Sequence, residues 1–160
     1  MAKNRVKKHE NECECSVCDS GLSHEEAMAA MRHWEEEMMA KHGWYCHMVG
    51  GGDEQSPTGY NVHTHGLELD GRLNFQIVCP LPGPVANGIL ASLVERSKEE
   101  PLLAGMELKG IVKGFKIRLV LAKECERQVL RAIMPDKAGR LGEDAEPPYN
   151  VQADGCLKVG

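Results

Sequence analysis

Aromatic residues are scarce in this chain and make up only 4% of its 160 residues. A folded core must therefore rely on aliphatic side chains and methionine, and the hydrophobic content of 42% is ordinary for a globular domain. The sequence has no apolar run approaching the roughly 20 residues that cross a bilayer. It also has no clustered basic face, and its net charge is -5. We therefore expect one small domain without membrane or nucleic-acid partners.

Several catalytic signatures are also missing. The glycine run at residues 50–52 is not followed by the Gly-Lys-Ser/Thr step of a phosphate-binding loop, and neither a nucleophile elbow nor a dinucleotide fingerprint occurs. The amino-terminal stretch is too charged for a secretory signal, which predicts a cytoplasmic protein with reduced thiols. In that compartment the 7 cysteines indicate metal binding or core packing rather than disulfides. Cys46 and Cys79, within apolar runs, are expected in the core.

Three cysteines, Cys13, Cys15 and Cys18, lie close together near the amino terminus. Thiols this close are poor disulfide partners for each other. They are good ligands for one zinc ion, whose structural sites take four thiolate or imidazole ligands. His24 or His9 is the candidate fourth ligand. Two alternatives are an arm that binds no metal and a thiol redox sensor, although neighbouring acidic residues oppose the thiolate that a sensor needs.

The order of apolar patterns predicts an α+β fold with two layers, a mainly antiparallel sheet of about five strands and two helices. We expect three regions along the chain. Residues 1–22 form an extended cysteine-rich arm, residues 23–136 form the α+β domain, and residues 137–160 form an irregular tail.

Both helices have recognisable boundaries. Ser23 begins a capping box, and Gly43 ends the first helix, whose methionine-rich stripe is predicted to pack on the sheet. The second helix begins at Gly83 and ends before Pro101. Short apolar or alternating runs predict five strands, at residues 44–49, 59–65, 74–80, 115–121 and 129–134.

The second predicted strand carries His63 and His65, which point to one face because residues two apart on a strand share a face. Asn61 extends that face, and His47 on the neighbouring strand could supply a third nitrogen. Three protein ligands with a fourth position for water are the arrangement of catalytic zinc, so this pattern predicts a second metal site. The alternative is that the histidines only hydrogen-bond to their neighbours.

Four short blocks occur in a characteristic order: Gly43-Trp44, residues 60–67 (YNVHTHGL), residues 75–78 (FQIV) and residues 134–140 (MPDKAGR). In this order they resemble the bacterial domain of unknown function 4262 family, over roughly residues 31–149. Some of its members also start with a C-x-C-x-x-C element similar to the cysteines here. The resemblance implies a single bacterial domain without an established activity.

This chain departs from the family pattern in two places. Many members have a His-Pro-Glu step before the third strand, where this chain has Leu73-Asn74-Phe75. Many also have a helix before the last strand, for which residues 123–128 leave little room. A role that depends on the missing glutamate is therefore not carried over to this chain.

Two functions follow from these patterns. The first is a small cytoplasmic module, stabilised by structural zinc on its arm, that binds an unidentified protein or small-molecule partner. The second is a metal-dependent hydrolase whose ion is held by the histidine strand. Its candidate general bases are Asp53, Glu54 and Glu68. Both functions are compatible with a monomer or a homo-oligomer.

Overall fold

The computed structural model describes residues 21–49 and 56–158. In this part of the chain it confirms the predicted α+β class, with two α-helices and a six-stranded, mainly antiparallel sheet. The elements are α1 (His24–His42), β1 (Tyr45–Val49), β2 (Asn61–His65), β3 (Asn74–Ile77), α2 (Gly83–Glu99), β4 (Glu107–Val112), β5 (Phe115–Glu124) and β6 (Arg127–Ile133). Short 3-10 helices occur at Leu67–Asp70, Gly142–Asp144 and Tyr149–Val151.

The strands follow the order β1-β2-β3-β6-β5-β4 across the sheet. The first three form the predicted antiparallel meander, and β6 then pairs with β3 in parallel. The sequence patterns do not predict β4, because this edge strand buries only Leu108 and contains Gly110 in a left-handed conformation. The register shifts between Leu108 and Val112, which indicates a bulge.

α2 packs against one face of the sheet and closes the hydrophobic core. Its buried residues are Ala86, Leu90, Leu93 and Val94. They join a cluster that includes Phe75 and Ile77 of β3 and Leu130 of β6. Burying one such leucine contributes roughly 1.5–3 kcal/mol to stability, so the packing of α2 on the sheet stabilises the domain.

The cysteines of the apolar runs belong to the core, as predicted. Cys79 is buried in the core cluster and Cys46 packs against it. Burial raises the pKa of Cys79 to about 11 and that of Cys46 to about 12. Both thiols therefore stay protonated near neutral pH and act as small apolar side chains.

α1 packs less deeply than its methionine-rich stripe predicts. Ala27 is its one buried residue, and Trp34 stays 43% exposed. The carboxyl end of α1 approaches the chain after β2 at Gly66, where a side-chain carbon would lie 2.6 Å from the carbonyl oxygen of Gly43. With a φ of 107°, this position requires glycine. Neither α1 nor α2 combines the length and apolar character that a bilayer crossing needs.

The carboxyl-terminal segment is tied to the sheet by buried polar groups. The fully buried Gln152 side chain forms two hydrogen bonds of 2.8 Å with the backbone of Met134. The Leu157 backbone N–H donates to the carbonyl oxygen of Leu121 at 2.8 Å. Regular structure within residues 137–158 is confined to two 3-10 helices, but these contacts hold the segment against β5 and β6.

Candidate metal centre

A row of polar side chains crosses the sheet in register. Read across four neighbouring strands, the row is His47, His63, Gln76 and Arg131. Residues paired across a sheet point to the same face, whereas the adjacent pair Val62 and Ile77 points into the core beneath α2. Strand alternation therefore separates a polar face from an apolar one.

Three imidazoles converge on this polar face. The possible ligand nitrogens of His47, His63 and His65 all lie within 4.8 Å of one another. The Nε2 atoms of His63 and His65 are 3.1 Å apart. Two nitrogens bound to one tetrahedral zinc at 2.0–2.1 Å would lie about 3.3 Å apart. The three residues could therefore hold a metal ion with little rearrangement.

His63 is held on the side that faces away from His65. Its Nδ1 lies 3.0 Å from Asn61 Oδ1, which also accepts a 3.1 Å hydrogen bond from Gln76 Nε2. Arg131 Nε in turn donates to Gln76 Oε1 at 2.8 Å. These buried contacts fix the ring plane of His63 and aim its Nε2 towards the other imidazoles.

His65 is held by aromatic contacts instead. Its ring stacks on Tyr45, with centroids 5.0 Å apart and an interplanar angle of 18°. The ring of Trp34 on α1 packs edge-on against the Tyr45 ring, with centroids 5.8 Å apart. α1 therefore reaches the histidine cluster through two aromatic side chains, which sequence periodicity does not reveal.

Glu124 is an acidic residue that approaches the cluster. Its Oε1 lies 3.6 Å from His63 Nε2, and its Oε2 accepts a 2.8 Å hydrogen bond from Arg127 Nε. Arg127 Nη2 also donates to the backbone oxygen of Thr64 at 2.9 Å, which joins the β5–β6 hairpin to β2. Sequence reasoning missed Glu124, because the long-range pairing of β3 with β6 brings it to β2 and no local motif marks it.

The protonation states of the cluster suit metal binding. Burial lowers the pKa of His63 to about 4, although the Glu124 carboxylate opposes this shift. Burial also lowers the pKa of His65, and the Arg127 charge adds to the effect. Burial alone would raise the pKa of Glu124, but the Arg127 hydrogen bond and the charges of His63 and Arg127 together lower it below its usual value. Neutral imidazoles and an ionised carboxylate are the protonation states that ligate metals.

Of the other predicted site residues, only His24 and Glu68 belong to the part of the chain that the structure describes, and neither is one of the three converging residues. Cys13, Cys15, Cys18, His9, Asp53 and Glu54 lie outside the described residues. His24 is exposed at the first residue of α1. The Glu68 carboxylate accepts hydrogen bonds from the Gly66 backbone N–H and from the Asn74 side chain. The zinc site on the arm therefore stays a prediction.

A scan against protein-family models finds no match to this chain, and searches of the curated proteins and of the solved structures find none either. The resemblance to the bacterial domain of unknown function 4262 family stays a prediction.

Proposed function

We propose that this protein binds one divalent transition-metal ion through His47, His63 and His65. Because all three ligands are imidazoles, we propose that the ion is zinc. The supporting observation is the convergence of three imidazole nitrogens within 4.8 Å on one face of the sheet. Imidazole is a preferred ligand of Zn²⁺, and divalent copper and nickel also bind it well. Three such ligands leave a fourth position for water or for a group of a bound molecule.

Zinc binding is tested by titrating untagged, metal-free protein and measuring the bound metal by elemental analysis. His47→Ala and His65→Ala should each weaken binding at this site by at least about 100-fold, since losing even a supporting residue costs about 10–100-fold. His33→Ala is the matched control, because the His33 side chain is 75% exposed on α1 and outside the cluster. Wild-type affinity in the His47 and His65 variants would contradict the proposal.

A second proposed function, hydrolysis by a metal-bound water, is supported by Glu124. Zinc held by three protein ligands lowers the pKa of its bound water to about 7, which provides a nucleophile at neutral pH. The Glu124 carboxylate lies 3.6 Å from His63 Nε2, so it is within reach of a water on the same ion. In this proposal Glu124 would be the general base for a water on the bound ion.

Partner binding through a zinc-stabilised arm is a separate proposal, supported by the spacing of the cysteines alone. It predicts an additional equivalent of zinc that Cys15→Ser removes and His65→Ala retains. Zinc content unchanged by Cys15→Ser would eliminate this proposal and leave the histidine site untouched. The two metal proposals are thus distinguished by variants in different parts of the chain.

A further inference from the structure

Four buried side chains connect the middle of the sheet to the histidine cluster. We call them the hydrogen-bond chain, and its members are Arg131, Gln76, Asn61 and His63. In that order their exposed fractions are 3%, 2%, 4% and 2%. At this burial each hydrogen-bonding group needs a partner within the protein, so each member restricts the orientation of the next.

The hydrogen-bond chain begins at a group that can only donate. A guanidinium has N–H donors and no acceptor. Arg131 Nε lies 2.8 Å from the Gln76 side chain, so the Gln76 atom that faces it must be the oxygen. The reversed amide would bring two donors to within 2.8 Å of each other, which is repulsive. Arg131 therefore sets the orientation of the Gln76 amide.

The orientation then passes to Asn61. With its oxygen on Arg131, Gln76 presents its NH₂ group to Asn61 at 3.1 Å. The Asn61 atom that receives this hydrogen bond must again be an oxygen. The same Oδ1 lies 3.0 Å from His63 Nδ1. Because an amide oxygen only accepts, Nδ1 of His63 must carry the ring proton.

We propose that the hydrogen-bond chain holds His63 in the tautomer with its proton on Nδ1 and its lone pair on Nε2. Nε2 is the atom that faces the cluster, 3.1 Å from His65 Nε2. A neutral imidazole binds metal through its unprotonated nitrogen, and the hydrogen bond of the other nitrogen decides which one that is. Gln76 and Arg131 are thus positioning residues for the metal, a role that rests on the proposed function.

A pair of variants of matched charge separates this role from simple electrostatics. Asn61→Asp keeps an acceptor opposite Gln76 and His63, so the His63 tautomer should be retained. Gln76→Glu replaces the NH₂ donor with an oxygen. Asn61 must then turn its own NH₂ towards the new carboxylate, or two oxygens would meet. The reversed Asn61 amide repels a proton on His63 Nδ1, which moves the proton to Nε2.

Both variants add one negative charge to the same buried network. If charge alone decided zinc affinity, both would bind the cation more tightly. The hydrogen-bond chain predicts that they diverge. Asn61→Asp should bind zinc at least as tightly as the wild type, because a carboxylate raises the basicity of the ligand. Gln76→Glu should bind at least about 10-fold more weakly, since zinc must displace a proton from Nε2.

The closing experiment records ¹⁵N spectra of metal-free protein labelled at histidine, followed by zinc titration of the same samples. The expected result is a proton on His63 Nδ1 in the wild type and in Asn61→Asp, and on Nε2 in Gln76→Glu. A wild-type protein with the proton on Nε2 would overturn the inference without any variant, even if Gln76→Glu fails to fold. Unchanged tautomer and zinc affinity in a folded Gln76→Glu protein would overturn it as well.

The same experiment tells the two proposals apart. If the His63 proton lies on Nδ1 in the wild type and moves to Nε2 in Gln76→Glu, but the protein binds no zinc, the proposed metal function is overturned and the control of the tautomer is upheld. Zinc bound tightly by a protein whose His63 carries its proton on Nε2 would uphold the metal function and overturn the role of the hydrogen-bond chain.

Discussion

His47 and His63 occupy directly opposed positions of the β1–β2 ladder, and their rings meet edge to face with centroids 5.3 Å apart. His65 reaches the same point from two residues further along β2. A slip of one residue in the register would move His47 to the other face, because strand side chains alternate. The convergence of the three rings therefore depends on the register of one strand pair.

Replacing Glu124 tests the hydrolytic function. Glu124→Gln keeps the size of the side chain but cannot take a proton from a metal-bound water, so hydrolysis of an activated ester by the zinc-loaded protein should fall about 10²–10⁴-fold. Zinc affinity should fall by no more than about 100-fold, the upper limit for a supporting residue, so the rates are compared at saturating zinc. The control is Glu126→Gln, since Glu126 is exposed on the same turn. Equal esterase rates for Glu124→Gln and wild type would exclude the role of Glu124.

Removing the hydroxyl of Thr64 should loosen the strand that carries the histidines. Its Oγ1 donates to Asn74 Oδ1 and accepts from the Phe75 backbone N–H, both at 2.9 Å, and the residue is fully buried. Thr64→Val keeps the shape but removes the hydroxyl acceptor of the Phe75 N–H and the nearer of two donors to Asn74 Oδ1, so the free energy of unfolding should fall by roughly 1–3 kcal/mol. Urea unfolding measures the loss. Thr64→Ser, which retains the hydroxyl, should lose less, and the reverse order would refute this explanation.

The Asp136 carboxylate should make stability depend on acid pH. Its oxygens accept hydrogen bonds from the Arg140 side chain and from three backbone N–H groups, those of Ala138, Arg140 and Glu146. Burial alone would raise the pKa of Asp136, but these hydrogen bonds lower it to about 2. The ordinary value for an unfolded chain is about 3.9. The stabilisation is therefore complete above about pH 4 and is lost as the pH falls towards 2.

Asp136→Asn tests this dependence. The amide turns an NH₂ group towards donors, so Tm near neutral pH should fall by about 5 °C or more. The difference between wild type and variant should shrink as the pH is lowered from about 4 to about 2. Thermal unfolding followed by circular dichroism at several pH values measures it. A Tm difference that stays constant over this range would argue against a titrating Asp136.

Two leucines give a matched test of the core. Leu93 on α2 is fully buried, whereas Leu69 is 77% exposed. Leu93→Ala should lower the unfolding free energy by about 2–5 kcal/mol, because it removes buried surface and leaves a cavity. Leu69→Ala should change it by no more than about 0.5 kcal/mol. Similar losses in both variants, measured by denaturant unfolding, would mean that the core is not where α2 meets the sheet.

Local signals were sufficient to predict the helices and most strands. The capping box of Ser23 is formed in the structure, with hydrogen bonds to and from Glu26, and Gly43 ends α1 in a left-handed conformation. Such contacts join residues only three or four positions apart, so a short sequence motif is enough to predict them. β4 escaped prediction because its edge position leaves most of its side chains exposed and removes the apolar alternation. The shallow packing of α1 was also not predicted. Helical periodicity identifies an apolar face but does not show how deeply that face packs against the sheet.

The candidate site was also predictable only in part. The i, i+2 spacing of His63 and His65 and the hairpin partner His47 follow from strand geometry alone. Glu124 and Arg131 could not be predicted, because they reach the cluster only through the parallel pairing of β3 with β6. Parallel pairs join distant segments and leave no short motif in the sequence. The candidate ligands were thus predictable from the sequence, whereas the groups that orient them could be identified only from the fold.

Anomalous diffraction from zinc-soaked crystals of the untagged protein locates the ion itself. The histidine cluster should show a peak about 2.0–2.1 Å from one nitrogen each of His47, His63 and His65, with Nε2 as the His63 ligand. The peak should vanish in His47→Ala and persist in His33→Ala. A fully soaked wild-type crystal with no zinc among these three rings, or with zinc on His63 Nδ1, would contradict the metal centre described above.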